Sequence, residues 1–165
     1  MRRLALILIC GLAAVPAAYA ASGAVGDGVL ELRAVNASSL YIAGVRGTLW
    51  GQVDRGRLTV TDPVDGDGQI LVSGAERMRP VNENVTVYSG TDIHFRVTGG
   101  RYRLAFTKAT GVDLTAVGVG AVRVTGDPYA LDTGDYSIDG GKWIPVPLFE
   151  KSFTFGVQPQ TPISP

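Results

Sequence analysis

The chain has 165 residues, of which fifteen are basic and fifteen acidic, so its formal net charge is zero. The charges are interspersed and form neither the basic patch of a nucleic-acid-binding surface nor a polybasic segment for anionic lipid, so we expect no nucleic-acid partner. The single cysteine, Cys10, excludes an intramolecular disulfide and makes a cysteine-rich zinc site improbable.

The first twenty residues have the pattern of a cleavable export signal. Basic Met1-Arg2-Arg3 precedes an apolar run over residues 4–14, and Ala18-Tyr19-Ala20 supplies the small residues that signal peptidase requires. We predict cleavage between Ala20 and Ala21, and a secreted, periplasmic or cell-surface protein. The apolar run is shorter than the about 20 residues that span a bilayer, so we expect no membrane insertion after cleavage.

The rest of the chain has the length of one domain. We expect a flexible N-terminus over residues 21–27, one all-β domain over residues 28–155 and a disordered, proline-rich tail over residues 156–165.

Short runs in which apolar and polar residues alternate follow the predicted signal, and glycine, asparagine, aspartate or proline often bounds them. This period of two is typical of half-buried strands. The runs are 28–35, 56–61, 69–72, 85–88, 92–97, 101–106 and 121–125. Their spacing predicts an antiparallel sandwich or barrel-like domain. Gly99-Gly100 is a candidate hairpin turn, because both glycines accept a positive φ.

A small β-solenoid is the alternative architecture. Glycine followed by alternating aliphatic residues begins at Gly47, Gly56, Gly68, Gly100 and Gly120, and such glycines make corners between the stacked strands of solenoids. The segment 118–126 resembles a rung of secreted bacterial β-solenoids. The intervals between these glycines are unequal, so the sandwich is favoured.

An acidic, glycine-rich turn is a candidate calcium site. Asp62, Asp65, Asp67 and Glu76 supply the oxygen ligands that calcium prefers, and Asp65, Asp67 and Glu76 imitate the first, third and twelfth positions of an EF-hand loop. Gln69 and Ile70 depart from that pattern, and a plain turn explains the same residues. We predict no other cofactor.

No catalytic residue is predicted. The one histidine, His94, falls with Asp92 and Arg96 on the polar side of its run, and no Gly-x-Ser-x-Gly segment presents a serine nucleophile. We therefore interpret His94 as a solvent-facing strand residue and expect no enzyme.

The aromatic residues divide into core and loop candidates. Large aromatic side chains dominate core energetics in small domains, so we expect Trp50 and Tyr88 to pack in the core. Trp143 lies among glycines and prolines that indicate a loop, and it is the candidate for stacking on a ligand.

These patterns favour an exported, non-enzymatic β-domain with a structural or adhesin-like role in the cell envelope or outside the cell. Its partner would be a protein, a glycan or a second copy of the chain. The alternative is a binding module for a carbohydrate, or one that depends on calcium.

Overall fold

A computed structural model describes residues 26–64 and 66–156. The predicted signal peptide, residues 21–25 of the predicted N-terminal segment, residues 157–165 of the predicted tail, and Asp65 lie outside these residues. The described residues contain strands and no helix, and therefore no helix long and apolar enough to cross a membrane. The strands are β1 (Gly28–Thr61), β2 (Gly68–Ser73), β3 (Arg77–Asn82), β4 (Val85–Gly99), β5 (Tyr102–Gly126), β6 (Asp135–Ile138), β7 (Ile144–Pro145) and β8 (Lys151–Phe155).

The strands form one antiparallel sheet in the order β2-β4-β1-β5-β8. Strand β3 also pairs with β4, β6 pairs with β1, and β7 pairs with β6. The all-β antiparallel prediction is confirmed; the sheet is not closed into a barrel and forms a sandwich-like domain. The solenoid alternative was wrong for the described part of the chain, because its rungs would stack in parallel.

The long strands β1 and β5 pair with each other on both of their sides. Leu40 and Leu58 of β1 both pair with Phe106, and Phe106 and Val124 of β5 both pair with Leu40. The two strands therefore form a two-stranded ribbon that folds back, so that β1 and β5 pair along both of their edges. The short runs seen in the sequence are straight stretches of these longer, bent strands.

The bends divide the ribbon into two layers. Ala34, Asp92 and Lys108 lie at bends and have φ of 50°, 56° and 51°, which L-residues rarely adopt. The pairing register also shifts beside the bends, between Leu32 and Val35 and between Arg55 and Arg57. The first layer contains residues 28–33, 46–53, 68–73, 93–98, 112–118 and 135–138. The second contains residues 37–44, 57–61, 77–82, 85–89, 102–109, 120–126 and 151–155.

The core fills the space between the layers. Phe95 of the first layer contacts Phe106 of the second, with ring centroids 5.4 Å apart. Near another edge, Tyr136 stacks on Phe153 at 4.7 Å. Leucine, isoleucine and valine side chains fill the interior between these pairs, each contributing about 1.5–3 kcal/mol through burial.

Two glycines in the second layer lie beneath aromatic rings. The register places Phe155, Gly120, Gly44 and Tyr102 side by side on four neighbouring strand segments. The ring of Tyr102 covers Gly44, and the ring of Phe155 covers Gly120, in the space that a Cβ would need. The two rings thus fill the space above a pair of residues that have no side chains.

The segment Gly99-Gly100 has the backbone that the sequence predicted, but it does not form a hairpin. Its φ angles are 73° and 70°. Strands β4 and β5, which it connects, are not paired, because β1 lies between them. The turn instead carries the chain from the first layer to the second, and Arg101 N donates a hydrogen bond to Asp67 Oδ2 at 3.0 Å.

Candidate functional site

The outer face of the first layer carries large polar and aromatic side chains. Leu49 and Val53 point into the core, so alternation turns Trp50 and Gln52 outward. The register aligns these residues in two rows across the strands. One row is Glu31, Thr115, Trp50 and Arg96, and the other is Asp113, Gln52 and His94.

A shallow groove of about 620 Å³ follows these rows. The side chains that line it come from three long strands and one loop, and most can donate or accept hydrogen bonds. They include Glu31, Arg33, Trp50, Gln52, His94, Asp113, Thr115 and Trp143.

Trp143 is held at the groove by strand pairing and by an arginine. It directly precedes β7, which pairs with β6, which in turn pairs with the first residues of β1. The Arg33 guanidinium carbon lies 4.1 Å from the centroid of the Trp143 ring. Such a cation–π contact contributes about 0.5–1 kcal/mol at an exposed site. Among the described residues, no carboxylate lies within ion-pair distance of Arg33.

The acidic residues of the groove differ in their roles. Asp113 Oδ1 accepts a hydrogen bond from Ala34 N at 2.9 Å and so supports the bend at that residue. Glu31 is half-buried on the neighbouring segment. His94 Nε2 lies 3.0 Å from Asp92 Oδ1 at the edge of the groove. One carboxylate therefore supports the backbone, and the other lies half-buried in the lining.

The structure separates the two tryptophans from the core. Trp143 is 37% exposed and lies on the groove. The expectation that Trp50 packs in the core was wrong, because it is 40% exposed on the outer face. Tyr88 packs against the core as expected. The sequence signal is the alternation along this strand: Leu49 and Val53 are apolar and face inward, so Trp50, one position after Leu49, falls on the polar side.

His94 is exposed with Asp92 and Arg96, as its alternation predicted. The sequence did not indicate that His94 would share a groove with Arg33, Gln52 and Asp113. These residues are far apart in the chain, and only the strand register brings them together.

The calcium candidates are not assembled into one set. Asp67 directly precedes β2 and Glu76 follows it, so the strand separates them by roughly 20 Å. Glu76 Oε1 accepts a hydrogen bond from Thr91 Oγ1 at 2.8 Å. Asp62 N bonds to Asn84 O, and its buried Oδ1 has no hydrogen-bond partner among the described residues.

One calcium ion therefore cannot bind both Asp67 and Glu76. A site limited to Asp62, Asp65 and Asp67 stays a prediction, because Asp65 lies outside the described residues. Within residues 26–64 and 66–156, no group of three or more histidine, cysteine, aspartate or glutamate residues is placed to hold a metal.

A second exposed surface lies on the loops that follow β5 and β7. Gly126 N bonds to Pro147 O, and Val146 N bonds to Gly134 O, so the two loops are neighbours. Four large apolar side chains on them are exposed: Tyr129, Leu131, Leu148 and Phe149.

The chain was compared with protein families, curated proteins and solved structures, and it matches none of them.

Proposed function

We propose that this chain is an exported, non-enzymatic binding domain that holds a saccharide in the groove on the outer face of its first layer. The observation that carries the proposal is the presence of both tryptophans, Trp50 and Trp143, on one groove lined by hydrogen-bonding side chains.

The tryptophans supply the apolar part of such a site. A sheet position facing solvent usually holds a polar residue. Two half-exposed indoles on one face are therefore typical of a surface that binds a ligand. Each ring presents a flat apolar surface and one N–H donor. A pyranose ring matches this chemistry, because one of its faces is formed by C–H groups and its rim by hydroxyls.

The polar lining supplies the directional part. Gln52 carries both donors and an acceptor, Glu31 accepts, and Arg33 donates from a planar fork. Sugar hydroxyls both donate and accept, so a mixed set of this kind can satisfy them. A site with few apolar anchors and several convergent polar groups is typical of small-ligand recognition.

The position of the groove on strands favours binding without large rearrangement. Trp50 and Gln52 belong to a segment of β1 that has β5 on one side and β4 on the other. Side chains on such a segment lose little freedom when a ligand binds, which favours affinity. The groove is open to solvent, whereas catalytic sites commonly exclude water.

The test is binding to a panel of soluble polysaccharides, namely dextran, mannan, xylan, laminarin and alginate, by affinity electrophoresis and calorimetry. We expect retention by at least one, and an affinity about tenfold or more weaker for Trp50→Ala or Trp143→Ala, equivalent to about 1.4 kcal/mol.

Tyr129→Ala is the matched control, because it removes an exposed aromatic ring that does not line the groove. Equal retention of the two tryptophan variants and the wild-type chain would overturn the assignment to this groove. A panel that retains none of the proteins would count against saccharide binding.

The export of this domain is part of the same proposal. The residues that suggest a signal peptide lie at positions 1–20, and a binding domain for polysaccharides is useful where polysaccharides occur, in the envelope or outside the cell. Expression with the native leader followed by N-terminal sequencing tests this proposal, and we expect the purified chain to begin at Ala21.

An adhesin-like role is the second candidate. It is favoured by the four exposed apolar side chains of the loops after β5 and β7, since patches of this kind commonly mark contact surfaces. Saccharide binding that survives Leu131→Ser and Phe149→Ser, alongside loss of cell or protein adhesion in the same variants, would assign the two roles to separate surfaces.

A further inference from the structure

Strand β2 (Gly68–Ser73) lies at an edge of the sheet. It pairs with β4 on one side, and no other described strand pairs with it. Its other side therefore presents backbone N–H and C=O groups that can pair with another strand.

The two strands on this edge differ in how they discourage such pairing. Strand β3 continues the same side of β4 and carries Arg77, Arg79 and Pro80. Charge and proline are the usual means by which an edge strand avoids another chain. Strand β2 has neither, and Leu71 on it is 52% exposed.

The sequence around β2 is symmetric in chemical character about Leu71. It reads Gly68-Gln69-Ile70-Leu71-Val72-Ser73-Gly74. In an antiparallel pair of two such strands centred on Leu71, leucine faces leucine, Ile70 faces Val72, and Gln69 faces Ser73. Each position thus meets a residue of its own kind, and no charges come together.

In this register the exposed residues of one copy also lie opposite exposed residues of the other, and half-buried residues opposite half-buried ones. Gln69, Leu71 and Ser73 are exposed, whereas Ile70 and Val72 are half-buried toward the core. Directly opposite residues of an antiparallel pair point to the same face. Pairing centred on Leu71 therefore extends the outer face of one copy into the outer face of the other.

We propose that two copies of this chain associate through antiparallel pairing of their β2 strands, with the twofold axis at Leu71. The occupant of the edge is a second copy because the edge is complementary to itself. The first layers of both copies then form one continuous sheet. The proposal does not rest on saccharide binding, although β2 borders the groove, since Leu71 and Ser73 pair with Arg96 and His94.

The first test is the mass of the purified chain in solution, by sedimentation and light scattering up to about 1 mM, where even weak association is populated. We expect a concentration-dependent dimer. Leu71→Lys places two like charges opposite each other at the axis and should weaken the dimer about tenfold or more.

Met78→Lys is the matched control, because Met78 is 65% exposed on β3 of the same edge. It adds the same charge away from the axis and should leave the dimer intact. A wild-type chain that stays monomeric, or a dimer that Leu71→Lys does not weaken, would overturn the proposal. Circular dichroism verifies that both variants fold.

Cross-linking tests the register. In a Cys10→Ser background, Leu71→Cys brings two thiols together at the axis, where opposite Cα atoms are about 4.5–5.5 Å apart and a disulfide can form. We expect an oxidised covalent dimer from Leu71→Cys and none from Met78→Cys. Equal cross-linking of the two variants would contradict pairing at Leu71.

Discussion

The ring of Tyr102 lies over Gly44 in the space that a Cβ at position 44 would occupy. The two residues face each other on paired strands, and the Tyr102 side chain is fully buried. A glycine in a strand weakens it unless a neighbour fills the space above. Here the neighbouring ring does so, which makes the pair a single packing unit.

Replacing Gly44 with alanine should therefore destabilise the domain. The added methyl group would clash with the Tyr102 ring and force it to move, at a cost of about 1–3 kcal/mol in the free energy of unfolding. Urea unfolding measures the change. Gly66→Ala is the control, since no atom lies near its missing Cβ, and only its φ of 77° opposes alanine. Gly66→Ala should lower the free energy of unfolding by about 1 kcal/mol.

The buried phenol of Tyr102 should make the free energy of unfolding depend on pH in the alkaline range. Burial raises the pKa of Tyr102 well above its ordinary value of 10.0. The unfolded chain therefore loses this proton at lower pH than the folded chain does. The contribution to stability is complete below pH 10 and decreases above it, by about 1.4 kcal/mol per pH unit for one proton.

Tyr102→Phe should remove this part of the alkaline decline. The Tyr102 hydroxyl is buried without a hydrogen-bond partner among the described residues. Its removal should leave stability at pH 7 unchanged or raise it by about 1–2 kcal/mol. Urea midpoints measured from pH 7 to pH 11 test both expectations. A loss of stability at pH 7 would indicate that the hydroxyl makes a stabilising bond.

Ala34→Gly should stabilise the domain. Ala34 has a φ of 50°, a conformation that costs L-residues about 1–2 kcal/mol and glycine almost nothing. Greater freedom of glycine in the unfolded chain offsets part of the gain, so we expect about 0.5–1 kcal/mol. Thermal unfolding measures it. Ala43→Gly is the control in an ordinary strand backbone and should be destabilising.

Arg33→Ala should expose Trp143 to solvent. The guanidinium shields one face of the indole at 4.1 Å, and its loss should change stability by no more than about 1 kcal/mol. In a Trp50→Phe background Trp143 is the only tryptophan, and its quenching by acrylamide should increase. Arg96→Ala is the control, because Arg96 pairs across from position 50 and not with Trp143. Unchanged quenching in Arg33→Ala would place the arginine elsewhere in solution.

Alternation along the chain predicted stretches of β1, β2, β4 and β5 but none of β3, β6, β7 or β8. Within a strand it also indicates the face, because successive residues point to opposite sides. It placed His94 outward, and the same rule applied to Leu49 and Val53 would have placed Trp50 outward too. The large size of the indole suggested core packing instead, but the alternation of inward and outward positions was the better guide.

The groove and the bends could not be predicted in the same way. Arg33, Trp50, His94 and Asp113 lie on segments whose adjacency is decided by register, and register depends on where the strands bend. Two of those bends use Ala34 and Lys108, residue types that carry no turn preference. Gly99-Gly100 illustrates the same limit, since its φ angles were predictable and the partner of its flanking strands was not.

The passage of β1 and β5 through both layers also has a consequence for how the domain opens. Both layers contain segments of the same two strands, so we expect the opening of one layer to destabilise the other. Native-state hydrogen exchange should then show amides of Leu40, Val53, Phe106 and Leu114 exchanging together, with one free energy equal to that of global unfolding. In that sense the two layers are a single foldon, and a protease would find no intermediate to cut between them.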